Sequence, residues 1–328
     1  MKGYQFEDTQ GTFHLKKAEN ISYLYFPIAG EAGLKSSLTP NLGGDAKIDQ
    51  NTFLLEPVSA ENLVNNRNSR NFWCNVKGIG SWSLTGNAAE ALSKKFTEMQ
   101  DDSEVTAGFM WQKTTRESKK YQLRGEILSF IPVEKNVEVM LVTITNTGRM
   151  AQTVKPTAAI PLYGRSADNI RDHRHVTSLL HRIETTDIGV LVTPTLSFDE
   201  RGHQVNHMTY YCVGWSGNGE KPVDFYPTAE DFVGEGGNFE RPYAIVKNAE
   251  GVKAGTRIEG LEAVGGLHFS EVTLEPEEEC SYLIFTGITE DIQEIRNLSK
   301  TYTTREKVLE ELEKTMDEKV LVKKCANA

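Results

Sequence analysis

Short apolar runs rich in Val, Ile, Thr, Tyr and Phe recur along the chain, and each is bounded by Gly, Pro, Asn or Asp. Such runs are typical of β-strands, because β-branched and aromatic side chains fit a pleated, half-buried surface. The predicted strands cover residues 21–26, 123–131, 137–145, 190–198, 208–215 and 281–286. Many short strands with few helices between them predict an all-β fold, a large β-sandwich.

The run 137–145 indicates how the predicted sheets are arranged. Its odd-numbered positions carry Val, Val, Leu, Thr and Thr, and its even-numbered positions carry Glu, Met, Val and Ile. Successive strand residues point to opposite faces, so both faces of this strand are largely apolar. We therefore expect it to be covered on both sides, as in stacked sheets.

Helical patterns occur in two places, a short one at 86–101 and a longer one at the C-terminus. Thr303 and Glu306 have the spacing of a capping box, and apolar residues at 308, 309, 312, 316 and 320 then repeat with helical spacing. This stripe either packs back on the sandwich or leads into a following domain. The predicted organisation is a sandwich domain over residues 1–290 and a helical linker over 291–328.

Composition and charge exclude several classes of protein. Hydrophobic residues make up 38% of the 328 residues and the formal net charge is -10, which disfavours a nucleic-acid or anionic-membrane partner. No run approaches the roughly 20 apolar residues of a membrane span, and the first residues lack an apolar signal region. Four cysteines lie far apart, which is typical of unpaired thiols in a reducing compartment. A cytoplasmic protein is expected.

The segment 165–175, hereafter the rim segment, is the strongest candidate for function. It follows a strand-like run and contains three arginines, two aspartates, an asparagine and two histidines within eleven residues. Guanidinium and imidazole groups at this density suit the bidentate binding of sugar hydroxyls, carboxylates or phosphate.

Several ordered runs, together spanning about residues 1–320, carry a resemblance to a known family. They are GSWSLTGN (80–87), AGFMWQKTTR (107–116), FIPV (130–133), VTITN (142–146), AAIPLYGRSADNIRDHRH (158–175), FDERGH (198–203) and GEGG (234–237). In this order they resemble the N-terminal portion of the cellobiose, chitobiose and cellodextrin phosphorylases, glycoside hydrolase family 94. The rim segment is most similar to the branch acting on β-1,2-linked glucans.

This resemblance implies a galactose-mutarotase-like sandwich that leads through a helical linker to an (α/α)6 barrel. Family members cleave β-linked gluco-oligosaccharides with inorganic phosphate as co-substrate, without a cofactor, and invert the anomeric centre. One aspartic acid protonates the leaving oxygen and phosphate is the nucleophile, so one protein carboxyl suffices. The acid and the phosphate cradle belong to the barrel, so no catalytic role is carried over to this sequence.

The resemblance also implies a role for the rim segment. Members are commonly homodimers in which a loop of the sandwich helps wall the neighbouring subunit's sugar site. A role in the substrate wall or the interface is therefore carried over to Arg165, Asp168, Asn169, Arg171, Asp172, His173, Arg174 and His175.

Other functions remain open from the residues alone. A stand-alone sugar epimerase could use His203 with Asp199, and a plain carbohydrate-binding sandwich needs no catalytic group. A metal site at His203 and His207 requires a helix, whereas the surrounding residues favour a loop entering a strand.

The aromatic residues and the paired acids have structural interpretations too. Trp111 and Trp215 lie in strand patterns and are expected in the core, whereas Trp73 and Trp82 lie in a loop-rich stretch where a sugar contact is conceivable. The carboxyls of 199 and 200 are adjacent and would point apart on a strand. The carboxyls of 168 and 172 would stay ionised beside arginines and would therefore be poor general acids. For these two different reasons, neither pair suits general acid catalysis.

Overall fold

The computed structural model describes residues 4–21, 24–58, 68–170, 174–199 and 202–326. In chain order the strands are β1 (Tyr4–Phe6), β2 (Phe13–Lys16), β3 (Phe26–Ala29), β4 (Lys35–Leu38), β5 (Ala46–Asp49), β6 (Thr52–Leu55), β7 (Asn71–Val76), β8 (Gly80–Ser83), β9 (Asp102–Gly108), β10 (Trp111–Ser118), β11 (Leu123–Phe130), β12 (Val137–Asn146), β13 (Gln152–Leu162), β14 (Arg182–Thr185), β15 (Gly189–Val192), β16 (Leu196–Asp199), β17 (Gly202–Val205), β18 (Thr209–Ser216), β19 (Asp224–Thr228), β20 (Arg257–Glu259), β21 (Ala263–His268), β22 (Val272–Leu274) and β23 (Glu279–Thr289). The α-helices are α1 (Ala89–Ser93), α2 (Arg174–Ser178), α3 (Ala229–Val233), α4 (Tyr243–Lys247), α5 (Ile292–Thr301) and α6 (Arg305–Ala326), and 3-10 helices cover Ala18–Asn20 and Ala167–Ile170.

The described strands form four antiparallel sheets. The largest has eleven strands in the order β1-β2-β9-β10-β11-β12-β23-β18-β15-β14-β20. A six-stranded sheet has the order β19-β21-β13-β7-β8, with β22 also paired to β13. Strands β3 to β6 form a four-stranded sheet, and β16 with β17 forms an isolated hairpin. The all-β sandwich expected from the sequence is confirmed.

The main core lies between the two large sheets. Val142 and Ile284 from the eleven-stranded sheet pack in one cluster with Phe72 and Ile160 from the six-stranded sheet. Every residue of β12 is buried, so the expectation that this strand is covered on both faces is confirmed. Burial on both faces explains why its sequence lacks the alternation of a half-exposed strand.

The C-terminal helices cover the outer face of the eleven-stranded sheet. Val308 of α6 is fully buried in a cluster with Phe285 of β23, and Leu309 and Leu312 pack against that cluster. Of the two alternatives left open by the sequence, this part of the apolar stripe packs back on the sandwich. Helix α6 begins at Arg305, one residue after the start that a Thr303 cap would give.

Several local predictions were wrong. Residues 190–198 form two strands instead of one, since Pro194 between them lacks the N–H needed for a ladder. Only five residues of 86–101 are helical. Among the described residues of the run 21–26, Phe26 alone belongs to a strand, while Ile21 and Leu24 pack on a small cluster around β2 and β9.

The four tryptophans are all placed in strands. Trp215 is buried in the core as expected, and Trp111 packs at its edge. Trp73 and Trp82 are buried in β7 and β8, so the loop environment expected for them was wrong.

Among the described helices, none has the length and apolar character required to cross a membrane.

Candidate functional site

The rim segment begins where the chain leaves β13 and meets the four-stranded sheet. The backbone N–H of Tyr163 donates to Leu54 O (2.8 Å), and that of Gly164 donates to Phe53 O (3.1 Å). The Phe53 N–H in turn donates to Arg165 O (3.0 Å). Arg165, the first residue of the rim segment, and the two residues before it are therefore fixed to β6 by backbone hydrogen bonds.

Arg165 is buried and bonded on several sides within the chain. Its guanidinium pairs with Glu262 (Nη2 to Oε2, 2.6 Å) and donates to Thr177 Oγ1 (3.1 Å) and Tyr163 O (3.1 Å). Its Nε also lies 3.3 Å from His181 Nε2. We call Arg165, Thr177, His181 and Glu262 the Arg165 hub. Arg165 at the start of the rim segment, and Thr177 and His181 just after its end, are thereby connected to Glu262 in the loop that precedes β21.

His181 accepts a hydrogen bond from this arginine as a neutral imidazole. Burial, and then the charge of Arg165, lower the pKa of His181 to about 3. Because Arg165 can only donate, His181 Nε2 is the acceptor and the proton sits on Nδ1. Nδ1 lies 3.2 Å from Leu261 O, which accepts that proton. The ring is therefore held at both nitrogens.

The hub leaves no room for a sugar. The cavity beside it, lined in part by Tyr163, Ala229 and Glu262, has a volume of about 10 Å³. One water molecule needs roughly 10–15 Å³ on this measure. Arg165 therefore positions the rim segment instead of contacting a ligand through this cavity.

The next residues of the rim segment form the 3-10 helix Ala167–Ile170. The Ser166 hydroxyl lies within hydrogen-bond distance of Asn169 Oδ1 and of the Phe198 carbonyl of β16. Asn169 is buried, whereas Asp168 is exposed on the same turn. This turn therefore packs on the hairpin and directs one carboxylate to solvent.

The β16–β17 hairpin extends the rim segment and carries a histidine. All four residues of β17 are exposed, and the His203 ring packs edge-on against Phe198 at 4.2 Å between centroids. His207, also exposed, follows the hairpin. Within the described chain, no group of three or more His, Cys, Asp or Glu side chains could hold a metal ion.

The other candidate residues are placed only in part. Arg171, Asp172 and His173 lie outside the described residues. Arg174 and His175 open helix α2. The structure thus brings together Arg165, Asp168 and Asn169, of which only Asp168 is exposed.

Two hub residues, Thr177 and Glu262, have no counterpart in the sequence reasoning. Thr177 follows the rim segment closely, but Glu262 is 97 residues from Arg165. The two meet because Leu162 of β13 is paired with Ala263 of β21. A sequence pattern carries no signal for that pairing.

Comparisons with solved structures give low similarity. A bacterial glucoamylase complexed with acarbose has a TM-score of 0.49 at 9% identity, covering 88% of this chain and 36% of its own. A putative aldose 1-epimerase from Escherichia coli K12 has a TM-score of 0.43 at 9% identity, covering 81% of this chain and 99% of its own. A putative kojibiose phosphorylase from the human microbiome has a TM-score of 0.42 at 8% identity, covering 88% and 34%. The chain thus spans about a third of the glucoamylase and of the phosphorylase.

Sequence comparison gives the assignment. No curated protein matches the chain. Residues 56–305 match the family described as glycosyl hydrolase 94, supersandwich domain, and these residues include both large sheets except the N-terminal strands β1 and β2. The chain therefore belongs to glycosyl hydrolase family 94, with its supersandwich domain at residues 56–305.

Proposed function

We propose that this chain is the non-catalytic sandwich of an inverting glycoside phosphorylase that acts on β-linked gluco-oligosaccharides. The catalytic acid and the phosphate cradle would lie in an (α/α)6 barrel, in the same polypeptide or in a separate chain. The rim segment and the β16–β17 hairpin would form one wall of the sugar site across a homodimer interface.

The observation that carries this proposal is that one residue of the region is buried and bonded within the chain, whereas two others face solvent. Arg165 is held internally by the hub, whereas Asp168 is exposed on the 3-10 helix and His203 on the β16–β17 hairpin that packs against it. Recognition groups bind well when other residues fix their backbone. A wall of this kind supports phosphorolysis, because phosphate must reach the anomeric carbon while bulk water is kept out.

The first test measures the chain alone. We expect no orthophosphate release from α-glucose 1-phosphate with glucose or cellobiose as acceptor. Adding a separately produced family 94 barrel domain is expected to give turnover that depends on both components. Turnover by the chain alone would contradict the proposal.

A second test examines the wall itself. With the barrel present, Asp168→Asn and His203→Ala are expected to raise KM for the acceptor severalfold, because exposed wall residues contact substrate and not the reacting atoms. Asp187→Asn, an exposed aspartate paired with Lys221 elsewhere, is the matched control. Unchanged KM in both rim variants would remove the rim from the sugar site.

The dimer is tested separately by light scattering after size-exclusion chromatography. The chain is expected to elute with twice the 36.7 kDa mass of one copy. A monomer at all concentrations in the presence of the barrel would contradict the interface role.

A further inference from the structure

A small cavity with several buried polar atoms in its wall lies beside helix α1, away from the rim segment. Its walls come from the 3-10 helix at 18–20, from β8 and β10, and from the loop after α1. The volume is about 40 Å³. We call it the Arg116 cavity; the lining residues that matter here are Glu19, Asn41, Trp82, Asp101, Arg116 and Tyr121.

Arg116 is buried at this cavity with few hydrogen bonds. Only 3% of its side chain is exposed, and its nearest partners are Thr85 O at 3.4 Å and Asp101 Oδ2 at 4.0 Å. Its Nε has no partner among the described residues. The guanidinium fits because Gly86 (φ 76°) has no Cβ, which would otherwise lie 2.4 Å from Nη2. A buried guanidinium offers five donors, so this one is far from satisfied.

Two unpaired acceptors line the same cavity. Glu19 Oε1 accepts from Gln100 Nε2 (2.6 Å), but Glu19 Oε2 has no partner within the described chain. Asn41 Oδ1 is likewise buried and unpartnered there. Burial raises the pKa of Glu19, as expected for a carboxyl removed from water.

Together these atoms define what the cavity can bind. A ligand must accept from the Arg116 Nε–H and donate toward Glu19 or Asn41, which a hydroxyl group does and an apolar group does not. Leaving three buried polar atoms unpaired would be costly, because each loses its hydrogen bonds to bulk water.

The charged side chains that line the cavity disfavour an ion as its ligand. The lining contains three acidic side chains (Glu19, Glu90, Asp101) and three basic ones (Lys94, Lys95, Arg116). Partial burial opposes it, but hydrogen bonds from Lys120, Lys94 and Tyr121 lower the pKa of Glu90 to about 2, so this carboxylate is charged and paired. With no net charge to offset, the cavity favours a neutral ligand.

Size decides which neutral ligand fits. At roughly 10–15 Å³ per water, 40 Å³ holds about three non-hydrogen atoms. A pyranose ring is too large, but its hydroxymethyl arm is not. Trp82 and Tyr121, whose rings stack at 6.2 Å, are both buried and form part of the inner wall of the cavity.

We infer that the Arg116 cavity is an accessory sugar site that receives the hydroxymethyl group of a neutral hexose, with the ring outside at the cavity mouth. The hydroxymethyl oxygen accepts from Arg116 and donates to Glu19 or Asn41. None of the lining residues belongs to the rim segment or the Arg165 hub, so the site does not depend on the function proposed above.

The wild-type chain provides the first test. The Trp82 indole N–H donates to Asp101 Oδ2 (2.9 Å) at the cavity wall, so its NMR resonance reports occupancy. D-glucose is expected to shift this resonance with saturation. D-xylose, which is glucose without the hydroxymethyl group, is expected to bind at least about tenfold more weakly, the effect of losing hydrogen bonds to charged groups. No saturable glucose shift, or equal affinity for xylose, would overturn the inference.

A pair of variants tests the placement. Asn41→Leu removes one acceptor while keeping the branching and the number of non-hydrogen atoms of the side chain, and it is expected to weaken glucose binding about tenfold. Asn218→Leu makes the same change on an exposed turn and is expected to leave binding unchanged. Glucose affinity that is equal in both variants and the wild type would place the bound sugar elsewhere and refute the site.

Discussion

Arg165 and Arg116 are both 3% exposed, yet their surroundings differ in a way that separates structure from binding. Arg165 is paired with Glu262 at 2.6 Å and bonded to further groups of the chain. Arg116 has its nearest carboxylate at 4.0 Å and an unpaired Nε beside a cavity. A buried cation whose partners all come from the chain stabilises a loop, whereas one with unused donors at a cavity is available to a ligand.

The Arg165 hub gives a stability prediction. Arg165→Met is expected to lower the free energy of unfolding by about 2–4 kcal/mol, because the substitution leaves Glu262 and His181 without their donor. This expected loss of unfolding free energy is smaller than that for a fully buried ion pair, because the Glu262 side chain is 23% exposed. Urea denaturation measures it. Arg257→Met, which breaks an exposed pair with Glu184, is the control and is expected to cost less than about 1 kcal/mol. Equal losses would show that the hub contributes no more than a surface pair.

His181 gives a pH prediction. Its pKa of about 3 in the folded chain lies below the ordinary value of about 6.5 of an unfolded histidine. Between these pH values the unfolded chain binds a proton that the native chain does not. The contribution is therefore fully present above pH 6.5 and is lost as the pH falls toward 3.

The measurement compares wild type with His181→Gln, whose amide can accept from Arg165 and donate to Leu261 O without titrating. From pH 7 to pH 5 the wild type is expected to lose about 2 kcal/mol more unfolding free energy than the variant. Parallel stability curves for the two proteins would show that His181 is protonated in the folded state.

At the scale of elements, helix α5 is attached to the large sheet through one face. Ile295 is 2% exposed and packs with Trp215 and Phe285, while Ile292 on the same helix is 42% exposed. Ile295→Ala is expected to cost about 2–5 kcal/mol in urea denaturation, and Ile292→Ala under about 1 kcal/mol. The same loss for both would contradict the packing of α5 described here.

An element can be predicted from the sequence when the residues that determine it are neighbours along the chain. The strands β11, β12 and β23 were predicted within a few residues of their bounds, because their apolar runs are long and these runs themselves indicate that the strands are buried. Pro194 marked a break in 190–198 that the apolar pattern concealed. Residues 21–26 have a strand-like composition, but Ile21, Leu24 and Phe26 pack against a small cluster around β2 and β9.

The candidate site was predictable only in its position along the chain. The density of charged groups identified the segment 165–175, but not that Arg165 turns inward while Asp168 turns outward. That difference depends on Glu262, which the pairing of β13 with β21 places beside the segment. The Arg116 cavity left no trace in the sequence, because its polar atoms come from residues as far apart as 19 and 116.

At the scale of the whole molecule, a buried ion pair connects the eleven-stranded sheet to the loop between β4 and β5 of the four-stranded sheet, through Arg70, the residue that precedes β7. Arg70 pairs with Glu138 of β12, with Nη2 to Oε2 at 2.9 Å, and Ser36 of β4 donates to the same oxygen at 2.6 Å. Arg70 Nη1 also donates to Gly44 O (2.9 Å) between β4 and β5. Since β6 is hydrogen-bonded to Arg165 and to the two residues before it, this pair links the core of the sandwich to the candidate site.

Glu138→Gln tests that link. The substitution keeps the shape of the side chain but leaves the Arg70 charge buried without a counter-charge, so we expect a loss of about 3–5 kcal/mol in unfolding free energy. Glu134→Gln on the adjacent exposed turn is the control and is expected to change stability by less than about 0.5 kcal/mol. Because the ion pair holds the small sheet, amide hydrogen exchange in β3 to β6 is expected to accelerate more than exchange in β18 or β23. If hydrogen exchange instead accelerates equally in all sheets, the four-stranded sheet unfolds only together with the whole sandwich. The position of the rim segment would then depend on global stability and not on this ion pair.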